Sequence, residues 1–402
     1  MNYWHIQMHP ANQKEFDRER VSQILIETHY IGVGEWDDGA SKIRRFREDV
    51  SIGDVMLVRS KGPLALVEVI GHLEYEENPN EELDWFQNRR QVKILGWDTP
   101  EIREQLGDTV DGIYNPNSFD RIKTKSYYIE NWHKMIMREA RLNEVALLLK
   151  AKGQVVLQGP PGTGKTWLAE RVAEKIAAEA AVKLVQFHPA YAYEDFVRGI
   201  VAKTGDQGGL IYQAEDKTLA VFAKLAAAAP REQYFVLIID EINRANLPSV
   251  LGEMIYALEY RGKPVETLYA DAETGDRRLV LPENLLIIGT MNTADRSVGH
   301  LDYAIRRRFA FVTVLPEEEH IGEDGGRKLF REVSALFEKE FLAPEFERDQ
   351  VQPGHSYFMT VADKGLTLRQ KLDYEIKPLL REYLRDGVLR PNAKEGVKNL
   401  RA

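Results

Sequence analysis

Three stretches of this chain hold residue types at spacings that could act on a phosphate chain. "GPPGTGKT", residues 159–166, follows the apolar run "VVLQ" and opens "KTWLAERVAEKIAAEA", a segment rich in good helix formers. In that context the glycines let backbone N–H groups turn inward on phosphates, and the helix start adds its partial positive charge. Gly159, Pro160, Gly162, Thr163 and Gly164 are the expected cradle, with Lys165 reaching the β and γ phosphates and Thr166 ligating Mg²⁺. "YFVLIIDEINRA" then delivers two adjacent carboxylates at the end of an apolar run. Ligands bind at that edge of a parallel sheet, which suits Asp240 as a metal-holding group and Glu241 as the general base that activates water.

The third stretch, "LLIIGTMNTADRS", contains Asn-Thr-Ala-Asp, which superficially resembles the Asn-Lys-x-Asp element with which regulatory GTPases read guanine. Its position after the Asp-Glu run resembles the order in AAA+ ATPases, where this strand lies beside the phosphate loop. Asn292 would then lie near the γ-phosphate and the attacking water. It could not also reach a base on the order of 10 Å away, about three extended residues. Asn292 is therefore expected to sense or position the γ-phosphate, and Asp295 and Arg296 to serve a subunit interface or local structure. Downstream, "LDYAIRRRFAF" places three arginines after a short helical segment. Arg307 and Arg308 are the candidate fingers that neutralise charge on a transferring phosphoryl group; an ordinary basic helix end is the alternative. Fingers supplied by a neighbouring subunit would require a ring.

The elements that must position these groups are legible as patterns. From about residue 131, helical and strand-length apolar segments alternate: "EARLNEVALLLKAKG", "QVVLQ", "VKLVQF", "YFVLIID" and "LLIIGTMN". Such alternation implies an α/β fold, a parallel sheet with helices on both faces. From about residue 317 helical patterns dominate ("RKLFREVSALFEKEF", "LRQKLDYEIKPLLREYLRDG") and predict a helical lid. Residues before about 125 read as short strands ("DVMLVR", "LALVEVIGHLEY") interrupted by one helix ("QKEFDRERVSQILIETHY"), a small α+β or barrel-like unit. The expected divisions are 1–125, 126–316 and 317–402.

Composition sets outer limits. At 402 residues, 44% hydrophobic and 29% charged, the chain can bury a sizeable core. It has no cysteine, so disulfides and thiolate metal sites are excluded. No apolar run approaches the ~20 residues that span a bilayer, and the first residues lack a basic stretch followed by an apolar core. Cytoplasmic residence and no membrane partner are expected. The net charge of −9 argues against non-specific coating of nucleic acid.

"GPPGTGKT", "FHPAYAYEDFVRGI", "DEINRANLPSVLGEMIYALE", "MNTADRS", "LDYAIRRRFAF" and "GHSYF" together resemble the McrB-type motor subunits of modification-dependent restriction systems, over roughly residues 130–390. The resemblance implies an AAA+ P-loop NTPase that prefers GTP over ATP, uses Mg²⁺, forms a ring, usually hexameric, and engages an McrC-like endonuclease subunit. Guanine selection would fall to backbone before the phosphate loop or to "GHSYF" with His355. No nuclease motif is identified in the chain itself, so cleavage would need that partner.

The N-terminal region resembles, more loosely, the EVE and YTH domains of the PUA-like superfamily, through "YWHIQMHP", "YIGVGEWDDG", "IGDVMLVRSKGPLALVEVIG" and "DWFQNRRQVKILGW". Domains of that kind hold a flipped modified base in an aromatic cage, and the implied partner is modified double-stranded DNA. By motif position Trp36 and Trp85 are the cage candidates, whereas Trp4 and Trp97 lie in strand-like apolar context and read as core. Residues 1–130 hold 16 basic and 24 acidic side chains, a poor balance for a duplex-binding surface. Lys42, Arg44, Arg45 and Arg47 nevertheless cluster just beyond Trp36, either as a rim that grips flanking phosphates or as a solvated charged turn. The competing functions are an ATP-dependent remodelling ATPase of the MoxR type with a protein-binding N-terminal unit, and a reader whose nucleotide site only controls assembly.

Overall fold

The computed structural model describes residues 1–8, 18–35, 40–60, 62–79, 86–107, 119–122, 127–204, 209–272, 274–295, 302–360 and 365–402. Trp36, Trp85 and Arg296 lie outside the described residues. The chain folds as two compact units, Met1–Arg141 and Leu142–Ala402.

The first unit is built on strands β1 (Tyr3–Gln7), β2 (Tyr30–Val33), β3 (Val55–Arg59), β4 (Pro63–Tyr75), β5 (Asn88–Trp97) and β6 (Phe119–Arg121). They form one sheet in the order β2-β5-β4-β3-β1-β6. Only β1 and β3 pair in parallel, and two register shifts between β4 and β5 curl the sheet into an open half-barrel. Helices α1 (Arg18–Thr28), α2 (Ala40–Glu48) and α3 (Pro100–Leu106) accompany it. Period-two alternation sends Trp4, Ile6 and Met8 of the first strand region to one face, against Val21, Ile24 and Leu25 of α1 and Ile43 and Phe46 of α2. Val55 and Leu57 point the other way, against Tyr128, Ile129 and Trp132 at the start of the long helix α4 (Tyr127–Lys152). Because β3 is covered on both faces it reads as an unbroken apolar run. Trp4 is core, as its context suggests, and Trp97 packs half-buried against the same cluster. The Trp4 indole N–H donates to Asp54 over 2.9 Å, and that buried carboxylate also accepts from the backbone N–H of Asn2 and Ser51.

The second unit contains the parallel sheet that the alternating pattern implies. Its strands are β7 (Gln154–Gly159), β8 (Val182–Gln186), β11 (Phe235–Asp240), β14 (Leu285–Asn292) and β15 (Ala310–Thr313), in the order β15-β7-β14-β11-β8. Two antiparallel hairpins leave this sheet: β9 (Arg198–Thr204) with β10 (Leu210–Asp216), and β12 (Pro264–Glu266) with β13 (Arg278–Val280). On one face of the sheet the end of α4 and α5 (Lys165–Ile176) pack through Leu142, Val145, Leu149, Leu168 and Val172. The opposite face is covered by α6 (Tyr193–Phe196), α7 (Thr218–Ala228), α8 (Leu247–Leu251) and α9 (Met254–Glu259). After α10 (Tyr303–Arg306) and β15 comes a separate helical layer, α11 (Asp324–Ala335), α12 (Arg348–Val351), α13 (Leu368–Lys371), α14 (Lys377–Arg385) and α15 (Ala393–Asn399). It has its own core of Leu329, Phe330, Val333, Phe337, Ile376 and Leu380.

The alternating pattern does not predict the hairpins, and one side chain ties them together. Arg198, fully buried in β9, donates through Nε to Asp216 Oδ1 (2.6 Å) and through Nη1 to Thr267 Oγ1 (2.9 Å) and the Tyr269 carbonyl (2.8 Å). Asp216 belongs to β10, while Thr267 and Tyr269 belong to the loop between β12 and β13, so one guanidinium fixes both hairpin bases.

Candidate nucleotide site

The phosphate loop lies between the end of β7 and the start of α5, at the carboxyl edge of the sheet. Gly162 and Gly164 have φ of +79° and +80°, left-handed values that a side chain would resist, so these two positions require glycine. Lys165 is 7% exposed and folds back on its own loop, with Nζ donating to the carbonyls of Gly159 (3.0 Å) and Pro160 (2.7 Å). Burial pulls its pKa down to about 8, against the opposing pull of the Glu241 and Asp240 carboxylates. Thr163 caps the loop by donating to the Pro160 carbonyl.

Strand register brings the remaining groups alongside. Asn292 pairs with Gly159 across β14 and β7, and Ile239 pairs with Gly289 across β11 and β14, so the ends of three strands meet at the loop. Asp240 Oδ1 accepts from Thr166 Oγ1 (2.7 Å) and from Thr290 Oγ1 (2.6 Å). Thr290 in turn accepts from the backbone N–H of Glu241 (3.1 Å). Glu241 has φ +54°, one of two non-glycine residues with positive φ among the described residues. Strain of this kind is held only where the surroundings over-determine it. Here the Asn292 amide donates to Oε1, Arg244 Nε donates to Oε2 at 3.2 Å, and Arg244 pairs with Asp295 at 3.3 Å. Asp295 is thus tied to the carboxylate through Arg244, a local structural contact.

The set can hold a hard divalent cation at one point. Thr166 Oγ1, on the first turn of α5, and Asp240 Oδ1, at the end of β11, are both oxygen donors and lie 2.7 Å apart. No group of three His, Cys, Asp or Glu side chains able to hold a metal exists among the described residues.

The two candidate fingers lie elsewhere. The Arg308 carbonyl accepts from Gln154 Nε2 (2.7 Å) at the first residue of β7, whereas the phosphate loop starts at its last. Six residues of strand put about 16 Å between them. The pair also differs in freedom. Arg308 is 9% exposed, donates to the Ala304 carbonyl and pairs with Glu259 at 2.8 Å; Arg307 is 65% exposed and meets the same carboxylate at 3.0 Å.

The helical layer reaches the loop through "GHSYF". Gly354 N–H donates to the Pro161 carbonyl (2.8 Å) and Ser356 N–H to the Gly162 carbonyl (3.0 Å). His355 is buried above the start of α5, and burial together with the neighbouring His320 lowers its pKa to about 4.

In the first unit the basic cluster is a helix, α2, in place of a turn. Arg44 pairs with Glu48 (3.2 Å), Arg45 with Asp120 (2.8 Å), and Arg47 with Glu35 and with Asn88 Oδ1 (2.6 Å). Lys42 is half-buried. Sequence reasoning misses Thr290 and Arg244. Thr290 carries a signal, a hydroxyl inside an otherwise apolar strand; Arg244 carries only its place after the paired carboxylates.

Residues 154–309 match the family model described as "AAA domain (dynein-related subfamily)". The chain is 35% identical over 292 residues to the "Type IV methyl-directed restriction enzyme EcoKMcrB subunit" of Escherichia coli (strain K12), covering 66% of this chain and 61% of that protein. It is 30% identical over 208 residues to the "Type II restriction enzyme BsuMI component YdiS" of Bacillus subtilis (strain 168), covering 43% of this chain and 60% of that one. The chain thus spans about six tenths of the length of each relative. The strand order, the phosphate loop and these matches agree on an AAA+ domain over residues 154–309, in a chain that is similar to the McrB subunit.

Proposed function

We propose that the chain is the GTP-hydrolysing motor of a modification-dependent restriction complex, which recognises modified DNA through its first unit and drives a separate McrC-like nuclease. The observation that carries the hydrolytic part is the continuous hydrogen-bonded path Thr166–Asp240–Thr290–Glu241–Asn292 at the phosphate loop. Mg²⁺, held by Thr166 and Asp240, would neutralise charge on the β and γ phosphates. Glu241 takes the proton of the attacking water as its oxygen bonds to the γ-phosphorus and the bond to the bridging oxygen breaks. Asn292 holds that carboxylate and stands beside Gly159, in reach of the γ-phosphate. Lys165 exchanges two loop carbonyls for phosphate oxygens.

Arg307 is the finger, acting on the nucleotide of a neighbouring copy, because its own phosphate loop is a strand's length away. Arg308 is its strut, holding Glu259 and the turn beneath. A ring of such copies, a hexamer on the sequence resemblance, is part of the proposal. The modified-DNA and nuclease-partner assignments are supported by the likeness to a methyl-directed restriction subunit and by the sequence resemblance of the first unit to base-reading domains. On this proposal Trp36 and Trp85 cage the base and Lys42 joins the rim. Turnover of GTP and ATP, measured side by side on the purified chain, tests the nucleotide assignment: GTP is expected to be hydrolysed in preference, and turnover confined to ATP would favour a remodelling ATPase.

A further inference from the structure

In the first unit, two strand ends converge on one clamp. The last pair of β2 and β5 is Val33 with Asn88, and Trp36 and Trp85 follow that pair by the same number of residues in the two chain directions. Both tryptophans lie outside the described residues, but the chain leading to each of them is fixed. On the β5 side, Phe86 is fully buried against Gly32, where a β-carbon would collide with its ring. On the β2 side, the backbone N–H of Glu35 donates to Gln87 Oε1 at 3.2 Å. Asn88, fully buried, donates through Nδ2 to the Val33 carbonyl (3.3 Å) and to Glu35 Oε1 (2.8 Å). Arg47, near the end of α2, closes the clamp. Its Nε donates to Asn88 Oδ1 at 2.6 Å, its Nη2 donates to Glu35 Oε1, and its guanidinium lies 6.0 Å from the centroid of the Tyr75 ring. Arg90 of β5 donates to the carbonyls of Phe46 (3.3 Å) and Arg47 (2.9 Å), so the backbone at the end of α2 is tied to the same strand.

We propose that Arg47 is a positioning residue for the base cage: by holding Glu35 to Asn88 it sets the spacing at which the chain leaves for Trp36 and for Trp85. This rests on the base-reading proposal above and deepens it, by assigning Arg47 to the support of the pocket and not to a phosphate-gripping rim. Its chemistry favours that assignment. The guanidinium spends Nε and Nη2 within the protein, and the Glu35 carboxylate offsets the charge that would attract a phosphate. A flipped base stacked between aromatic faces needs their separation held to about 0.5 Å. The side chains of Arg47 and Glu35 are 40% and 42% exposed, and an ion pair so placed adds little to stability. Its contribution is the geometry of the two chain ends.

The test titrates the full chain, as wild type, Arg47→Ala, Arg47→Lys and Glu35→Ala, with duplexes of one sequence at several salt concentrations. The duplexes carry no modification, N6-methyladenine, N4-methylcytosine or 5-methylcytosine. The wild-type preference for its best modified duplex over the unmodified one should fall about tenfold in all three variants, the size of one hydrogen bond to a charged group. The salt dependence of binding should stay as in wild type for both Arg47 variants. Lysine keeps the charge but cannot hold Asn88 and Glu35 with one planar fork, so it should not rescue. Glu35→Ala leaves Asn88 with Arg47 and the Val33 carbonyl and removes a negative charge, so a phosphate-gripping Arg47 would keep the preference intact in that variant. Melting and DNA-free GTP turnover check folding, and the other two variants serve if Arg47→Ala is not folded. A retained preference with a shallower salt dependence in Arg47→Ala, or full rescue by lysine, would overturn the positioning role and leave base reading intact. Unchanged binding in folded variants would do the same. A wild type with no preference among the four duplexes would remove both readings.

Discussion

Asn292, at the end of β14, donates its side-chain amide to the carboxylate of Glu241, just past the end of β11. The contact joins the group that would read the γ-phosphate to the group that would activate water. It also holds Glu241 at φ +54°. An account in which these two act as one unit expects Asn292→Ala to slow single-turnover hydrolysis by about 100-fold, while nucleotide affinity changes less than threefold. Rapid-quench kinetics beside equilibrium binding separates the two quantities; a loss of binding with normal chemistry would make Asn292 an affinity group only.

The two neighbouring arginines should behave differently. Arg307→Ala should cut kcat by about a thousandfold and leave melting unchanged, as for an exposed group used on a neighbour's phosphate. Arg308→Ala should lower the melting temperature, because its buried guanidinium holds Glu259 and the Ala304 carbonyl. Steady-state turnover and calorimetry on both variants decide the assignment, and the reverse pattern would exchange the roles.

Lys165 gives a pH signature. Its pKa of about 8 lies below the ordinary lysine value of 10.5. Above pH 8 the folded chain therefore binds fewer protons here than the unfolded chain, and this group's contribution to stability rises with pH between about 8 and 10.5. A bound triphosphate restores the charge, so binding near pH 9 should take up protons. Calorimetric binding enthalpies in buffers of different ionisation enthalpy measure that uptake, which should disappear near pH 7 and in Lys165→Met.

Gly354 and Arg198 test the scaffold. Gly354→Ala forces a β-carbon to 2.1 Å from the Gly162 carbonyl group and should weaken nucleotide binding, because the loop or the lid segment must shift. Nucleotide titration of this variant with a normal far-ultraviolet spectrum provides the check.

Arg198→Met removes the buried partner of Asp216, which keeps its pair with Lys224 at 2.5 Å, and leaves the Tyr269 carbonyl one donor short, so it should cost about 1–3 kcal/mol of stability. Denaturant unfolding reads this directly; a cost under about 1 kcal/mol would show that the hairpins hold without it.

Much of this is legible from residue order. Apolar runs of strand length ending in Gly159, Asp240 and Asn292 place three strand ends at one sheet edge, because parallel strands buried on both faces leave few other arrangements. The hairpins escape because "RGIVAKT" and "LIYQAED" project from the sheet, with Ile200, Leu210 and Tyr212 exposed, so burial imposes no clean alternation. Arg244 and His355 act through long-range contacts, to Asp295 and to Glu317, that spacing does not encode. The basic cluster after Trp36 looks free in the sequence, yet Arg44, Arg45 and Arg47 each find an acidic partner in the fold.

The central claim is that one copy supplies Glu241 and its neighbour supplies Arg307 to the same triphosphate. Its most direct measurement mixes Glu241→Gln with Arg307→Ala, each inactive alone, and follows GTP turnover. Random assembly leaves about one site in four with both groups intact, so the mixture should hydrolyse GTP at a substantial fraction of the wild-type rate. A mixture as inactive as its components, or an Arg307→Ala chain that turns over GTP normally by itself, contradicts the claim.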